Sequence, residues 1–103
     1  MAWSDIDLSQ VDTPTVLIDK ALVQSNIEKA IAHAGSVKRL RPHVKTHKML
    51  EVARMQVAAG ITKFKCATIA EAEMLGMAQA KDVLIAYPLH GPKIKRFLLL
   101  QTN

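Results

Sequence analysis

Short apolar runs alternate with longer amphipathic stretches along this chain. Thr15-Val16-Leu17-Ile18 is rich in β-branched residues and predicts a strand. Asp19 is placed to cap the helix that follows. In that helix Val23, Ile27, Ala30, Ile31 and Ala34 recur at helical spacing, and Gly35 stops it. A second strand is expected over roughly Val37 to Thr46. Pro42 cannot donate to a ladder, so it marks an edge or a local distortion there. The next helix sets Leu50, Ala53 and Val57 on one stripe and ends at Gly60. Lys63 to Thr68 reads as a strand. A helix from near Ala70 to Ala80 carries Glu71 and Glu73 in its first turn, where the positive end of the helix dipole favours acids. Val83 to Tyr87 reads as another strand. Pro88 and Gly91 break the chain, and Pro92 suits the first turn of a last helix whose Ile94, Phe97 and Leu98 are expected to face inward. Strands alternating with helices at this spacing predict an α/β fold with a parallel sheet.

Length changes the scale of that prediction. The chain has 103 residues, enough for one small domain. A complete (β/α)8 barrel takes about 250 residues. Half of the residues are hydrophobic, yet no apolar run approaches the roughly 18 residues needed to span a membrane. The opening residues lack a basic region followed by an apolar core, so no secretory signal is expected. The single cysteine, Cys66, excludes an internal disulfide and fits a reducing, cytoplasmic setting. The net charge is +5, but the four aromatic residues do not interleave with the cations, and no zinc-finger spacing occurs. A small ligand bearing a phosphate accounts for such charge as well as a nucleic acid does. Neither a nucleic acid nor a membrane is expected as a partner.

The candidate chemistry lies in Arg41-Pro42-His43-Val44-Lys45-Thr46-His47-Lys48, which holds two histidines among its cations and no acid. On a strand, His43, Lys45 and His47 would share one face, and Pro42, Val44 and Thr46 the other. A lysine at the C-terminal end of a strand, beside other cations, is placed to work as an amine. A neighbouring positive charge lowers an ammonium pKa, and only the neutral amine condenses with a carbonyl. The plainer reading of such a run is a solvated basic edge. His43 and His47 stand four apart, but no Glu follows the first, so the chemistry of an HExxH zinc helix is not expected. They either orient Lys45 or serve as hydrogen-bonded polar groups. Thr68 either touches a ligand or caps the next helix. Tyr87 either packs on a cofactor ring or fills the core. Cys66 in an apolar strand, and Met49, Met55, Met74 and Met77 on helices, read as packing residues.

RPHVKTHK, followed by KFKCATIAEAEML and DVLIAYP, resembles the N-terminal third of the D-threonine aldolase and D-serine dehydratase family. These are alanine-racemase-like, fold type III enzymes that use pyridoxal 5'-phosphate (PLP). The resemblance runs from about Asp12 to Lys93. It implies that residues 1–103 are the N-terminal part of a PLP-binding (β/α)8 TIM-type barrel, incomplete in this chain. Residues 1–20 would contribute a strand to a C-terminal domain that this chain does not contain. It implies further that Lys45 carries PLP on its amine. His43, His47, Thr68 and Tyr87 are the candidates for residues around the cofactor, from their positions on or at the ends of the expected strands. Lys48 is the competing lysine, but it lies past the expected strand end and matches no cofactor position.

The activity implied is that of a D-amino acid lyase acting on β-hydroxy substrates, by aldol cleavage or by dehydration, in a longer protein expected to be a homodimer. The same resemblance implies a divalent metal whose ligands come late in the family's chain, so no metal ligand is assigned among these residues. Two neighbouring readings are an amino acid racemase and a non-catalytic PLP-binding protein of the same fold. The residue four past Lys45 is Met49, where alanine racemases place a tyrosine, and this weighs against the racemase. A more distant alternative is a small basic protein that uses RPHVKTHK as an anion patch.

Overall fold

The computed structural model describes residues 3–102. The Asp19 carboxylate accepts the backbone N–H groups of Ala21 and Leu22 at 2.9 and 3.2 Å, and so starts helix α1, Lys20–Ala34. Gly35 closes it in the left-handed conformation (φ 86) that a side chain resists, and donates its N–H to the Ile31 carbonyl. Ile27 is buried, with Val23 and Ile31 packed beside it. Ala30 is exposed, so the buried stripe is narrower than the apolar spacing predicts.

Two expected strands turn out differently. Residues 15–18 form no regular structure, and Val16 is 81% exposed. β-branched residues favour a pleated surface only when a neighbouring strand covers them, and among the described residues none pairs with this run. The stretch expected as a strand from Val37 to Thr46 is likewise broken. Ser36 caps a 3-10 turn at Val37–Arg39, and a second 3-10 turn spans Val44–Thr46. Between them, the Pro42 carbonyl accepts the Lys65 N–H at 2.9 Å and His43 forms a single parallel bridge to Lys65. Pro42 thus contributes the one ladder group it has. The alternation that would keep His43, Lys45 and His47 on one face ends there, because the chain leaves the extended conformation for the Val44–Thr46 turn.

The remaining elements follow in βα order. Helix α2 spans Leu50–Ala58, with Met49 just before it rather than on it. Strand β1, Lys63–Cys66, pairs in parallel with strand β2, Asp82–Ile85, in the register Lys63↔Asp82 and Lys65↔Leu84. Helix α3, Ile69–Met77, begins after Thr68 and stops short of Ala80, because Gln79 adopts a left-handed φ of 64 and Ala80 donates back to the Leu75 carbonyl. Helix α4, Pro92–Gln101, starts at its proline as expected. Its inward residues are Phe97, half-buried, and Leu100, which packs against the core. Ile94 and Leu98 are about half exposed and do not face inward as the spacing suggested.

Phe64, Leu75, Val44 and Cys66 are the largest fully buried side chains. They form one cluster with Ala53, Ala72 and Ile61. One face of β1 (Phe64, Cys66) therefore packs into the core, while the other (Lys63, Lys65) stays half-buried. Met77, 63% exposed, is not a packing residue, whereas Met55 and Met74 lie against the core. The chain is a small mixed α/β unit whose parallel order runs from the His43 segment to β1 to β2.

Candidate functional site

Lys45 sits on the turn that follows the His43 bridge, at the C-terminal end of the parallel strands. Four hydrogen bonds fix that turn. The Lys45 N–H donates to His43 Nδ1 at 3.2 Å, and the Thr46 hydroxyl donates to the His43 carbonyl at 3.4 Å. The Val44 carbonyl accepts the N–H groups of both His47 (3.3 Å) and Lys48 (2.8 Å). With Val44 anchored in the core, the exposed Lys45 side chain rises from a backbone that is held from below. Lys48, also exposed, occupies a left-handed φ of 53 on the far side of the turn, where the chain swings into α2.

His43 is joined to Lys45 by that hydrogen bond. Because Nδ1 accepts, a neutral His43 ring carries its proton on Nε2. Desolvation holds its pKa below the ordinary imidazole value; the Lys45 and Lys65 charges act in the same direction, and the Glu71 carboxylate opposes them. Three charged groups thus meet around one ring.

Two of them, Lys65 and Glu71, were not among the residues expected at the site. Glu71 is buried. Its carboxylate accepts the Thr68 hydroxyl at 2.8 Å and the Ala67 N–H at 3.3 Å, while Thr68 Oγ accepts the Glu71 N–H at 3.1 Å. This is a reciprocal capping box at the start of α3. The spacing Thr68-x-x-Glu71 before an apolar helix carries its signal. Lys65 is signalled by Lys63-Phe64-Lys65-Cys66, in which charged and apolar residues alternate with the period of a strand.

His47 turns away from this group. Its Nδ1 accepts the Met49 N–H at 2.9 Å, bridging the left-handed Lys48 and fixing the entry to α2. Its Nε2 must then carry the proton of the neutral ring. That atom and Gln56 Oε1 are both buried and without a geometrically well-formed partner, yet Gln56 lies beside the ring and the two are complementary as donor and acceptor. Burial pushes the His47 pKa down and Gln56 partly offsets it.

Thr68 and Tyr87 both line one cleft of about 330 Å³, together with Pro88 and Lys93. Tyr87 lies beyond the end of β2 and is 65% exposed, so it does not fill the core. Thr68 caps α3, and its hydroxyl is committed to that task. Lys45 does not line this cleft.

A further fixture locks the strand order below the site. Arg41 donates to both Asp82 carboxylate oxygens, at 2.8 and 2.9 Å, and to the Phe64 carbonyl at 3.0 Å. This bidentate pair ties the first parallel segment across β1 to the start of β2. It holds the Asp82 pKa below the usual carboxylate value and raises that of Arg41.

An amine on a fixed turn, held beside a neutral imidazole, suits an aldehyde such as PLP. The amine can condense with the carbonyl. The donors for a metal do not fit in the same way. Among the described residues no three His, Cys, Asp or Glu side chains gather as a ligand set. Cys66 is fully buried, and burial, with Glu71 adding to it, pushes its thiol up to about 11, away from the thiolate a metal needs. No helix among the described residues is long and apolar enough to cross a membrane.

Comparison with known proteins adds a lineage to this geometry. The family model for the alanine racemase N-terminal domain matches residues 18–99. The chain is 36% identical over 95 residues to a D-threo-3-hydroxyaspartate dehydratase of Delftia sp. (strain HT23), covering 91% of this chain and 25% of that protein. It is 35% identical over 86 residues to a D-threonine aldolase of Arthrobacter sp., covering 82% and 23%. With a D-serine dehydratase of Dictyostelium discoideum the figures are 30% identity over 95 residues, covering 86% and 24%. The chain therefore spans about a quarter of the length of the curated relatives it matches. No solved structure matches it.

Proposed function

The chain belongs to the alanine racemase N-terminal domain family, and from that premise we propose that it is the cofactor-lysine segment of a PLP-dependent D-amino acid lyase. One observation carries the reading. Lys45 stands exposed on a rigid turn at the end of the first parallel segment, hydrogen-bonded through its backbone to His43. That turn lies inside the stretch shared with relatives named for lyase reactions on D-amino acids.

In this reading Lys45 holds PLP covalently, and the bound cofactor supplies an electron sink for a bond breaking at the substrate Cα. The residues of this chain do the positioning. The Val44 anchor and the His43–Lys45 hydrogen bond set where the amine stands. With Nδ1 taken up by the Lys45 N–H, the neutral His43 ring keeps Nε2–H as its free donor. Glu71 fixes the start of α3 beside it, and the Arg41–Asp82 pair fixes the register of the strands beneath. Thr68 and Tyr87 border the neighbouring cleft. The substrates are β-hydroxy D-amino acids, of which D-threonine, D-serine and 3-hydroxy-D-aspartate are the types to test. In the complete polypeptide we place this unit at the start of a (β/α)8 barrel, with the exposed run at residues 15–18 pairing with a strand from a further domain, in a homodimer. A divalent ion near the β-hydroxyl would draw its ligands from elsewhere in that polypeptide.

The test is turnover by the complete polypeptide that carries this segment, loaded with PLP. D-Threonine, D-serine, 3-hydroxy-D-aspartate and D-alanine are assayed with and without a chelator. Cleavage or dehydration of a β-hydroxy substrate is expected. Racemisation of alanine with no lyase reaction would move the assignment to a racemase, and a bound cofactor with no turnover would move it to a carrier.

A further inference from the structure

The helix-free face of the sheet carries more positive charge than its own carboxylates neutralise. In the lower layer Arg41 takes up Asp82 with both nitrogens, and Lys63 adds its field to the same carboxylate. In the layer above, the bridge sets Lys65 level with His43, and the register sets it level with Leu84 on the other side. No carboxylate pairs with Lys65: the ion pairs among the described residues are Arg41–Asp82 and Arg96–Glu73. Glu71, whose charge acts on His43 in this layer, is already committed to the Thr68 hydroxyl and the Ala67 N–H. Lys65 is half-buried, so part of its hydration is lost without a counter-charge to replace it. Its neighbour His43 is hydrogen-bonded to the Lys45 backbone, which brings this unpaired ammonium to the edge of the proposed reaction site.

We infer that Lys65 determines specificity by receiving a second carboxylate of the substrate, so that the preferred substrates are acidic β-hydroxy D-amino acids rather than neutral ones. This rests on the lyase reading above. An ammonium one strand away from the cofactor lysine attracts an anionic side group on the substrate. To a methyl or hydrogen in the same place it offers nothing, and it remains unpaired. The same ammonium could instead meet the phosphate of PLP, and the two anions are separated by experiment.

The experiment uses the complete PLP-loaded polypeptide and its Lys65→Gln and Lys65→Arg variants. Specificity constants are measured with 3-hydroxy-D-aspartate and D-serine. Inhibition is measured with D-malate, a diacid without an amine, and with D-lactate, its monoacid counterpart. PLP affinity is followed by visible absorbance. Lys65→Gln should lower kcat/KM for the diacid by about 10- to 100-fold while changing that for D-serine by no more than about threefold, the scale of one charge-assisted hydrogen bond. D-Malate inhibition should weaken with it, D-lactate inhibition and PLP affinity should hold, and Lys65→Arg should retain the diacid preference. Equal losses with both substrates, accompanied by weaker PLP binding, would assign Lys65 to the cofactor phosphate and overturn the inference while leaving the lyase reading intact. An unchanged preference in Lys65→Gln would overturn it too. A wild-type protein that turns over no β-hydroxy amino acid would remove the reading on which it rests.

Discussion

Raising the pH should destabilise this fold through one thiol. Cys66 is the sole cysteine, is fully buried on β1, and has its pKa pushed from 9.0 to about 11, first by burial and then by the Glu71 charge. An unfolded chain would lose that proton near 9 while the folded chain keeps it. The folded state thus binds more protons between pH 9 and 11, and its stability must fall as pH rises through that window. The displacement is worth roughly 2–3 kcal/mol at about 1.4 kcal/mol for each factor of ten. Cys66→Ala supplies the control. It should cost about 1–2 kcal/mol at neutral pH through the small cavity it leaves, and it removes the titrating group. Urea unfolding followed by circular dichroism from pH 7 to 11 should show the stability difference between wild type and Cys66→Ala falling by roughly 2–3 kcal/mol above pH 9, so that the wild-type advantage is lost and then reversed. Lysines and Tyr87 are common to both proteins and drop out of the difference. In Glu71→Gln, the Cys66 pKa should move down yet stay above 9.0, because burial, the larger cause, remains. A wild-type advantage that is constant from pH 8 to 11 would refute the reasoning, as would thiolate absorbance appearing near pH 9 in the folded chain.

Two further outcomes concern the turns beside the site. Thr68→Val removes the hydroxyl that both accepts the Glu71 N–H and donates to the Glu71 carboxylate, and should cost about 1–2 kcal/mol in thermal or urea unfolding; a loss below a few tenths would show that the capping box contributes little. His47 and His43 both have pKa values below the ordinary 6.5, so their contribution to stability is present above pH 6.5 and is lost as pH falls below it. His47→Gln should flatten part of that acid decline, and an acid limb identical to wild type would contradict the buried neutral ring.

The legible parts of this fold were those governed by local chemistry. Asp19 and Gly35 mark the ends of α1 because a carboxylate and a side-chain-free residue do something definite at a helix end. Pro92 marks the start of α4 for a similar reason. Cys66 was readable as core from its apolar strand. The parts that were not legible depend on neighbours in space. Thr15–Ile18 has the composition of a strand, but composition cannot supply the partner whose hydrogen bonds make one. The Val37–Thr46 stretch also reads as a strand, yet the Ser36 cap and the His43 side chain's capture of the Lys45 N–H turn its two ends into 3-10 turns. Of the site residues, His43 and Lys45 do come together, and Thr68 and Tyr87 share a cleft, while His47 faces Gln56 instead. Glu71 and Lys65 were overlooked because their signals, a capping box and a two-residue alternation, read first as structural ones. The family resemblance, by contrast, was fully readable from RPHVKTHK and the segments after it.

The identity of the lysine that carries PLP tests the central claim most directly. The complete polypeptide, loaded with PLP, is reduced with borohydride, digested, and mapped by peptide mass. The pyridoxyl label is predicted on Lys45, and Lys45→Ala should remove both the label and the visible absorbance band of the bound cofactor. A label on Lys48 or Lys65, or a band that survives Lys45→Ala, would contradict the account.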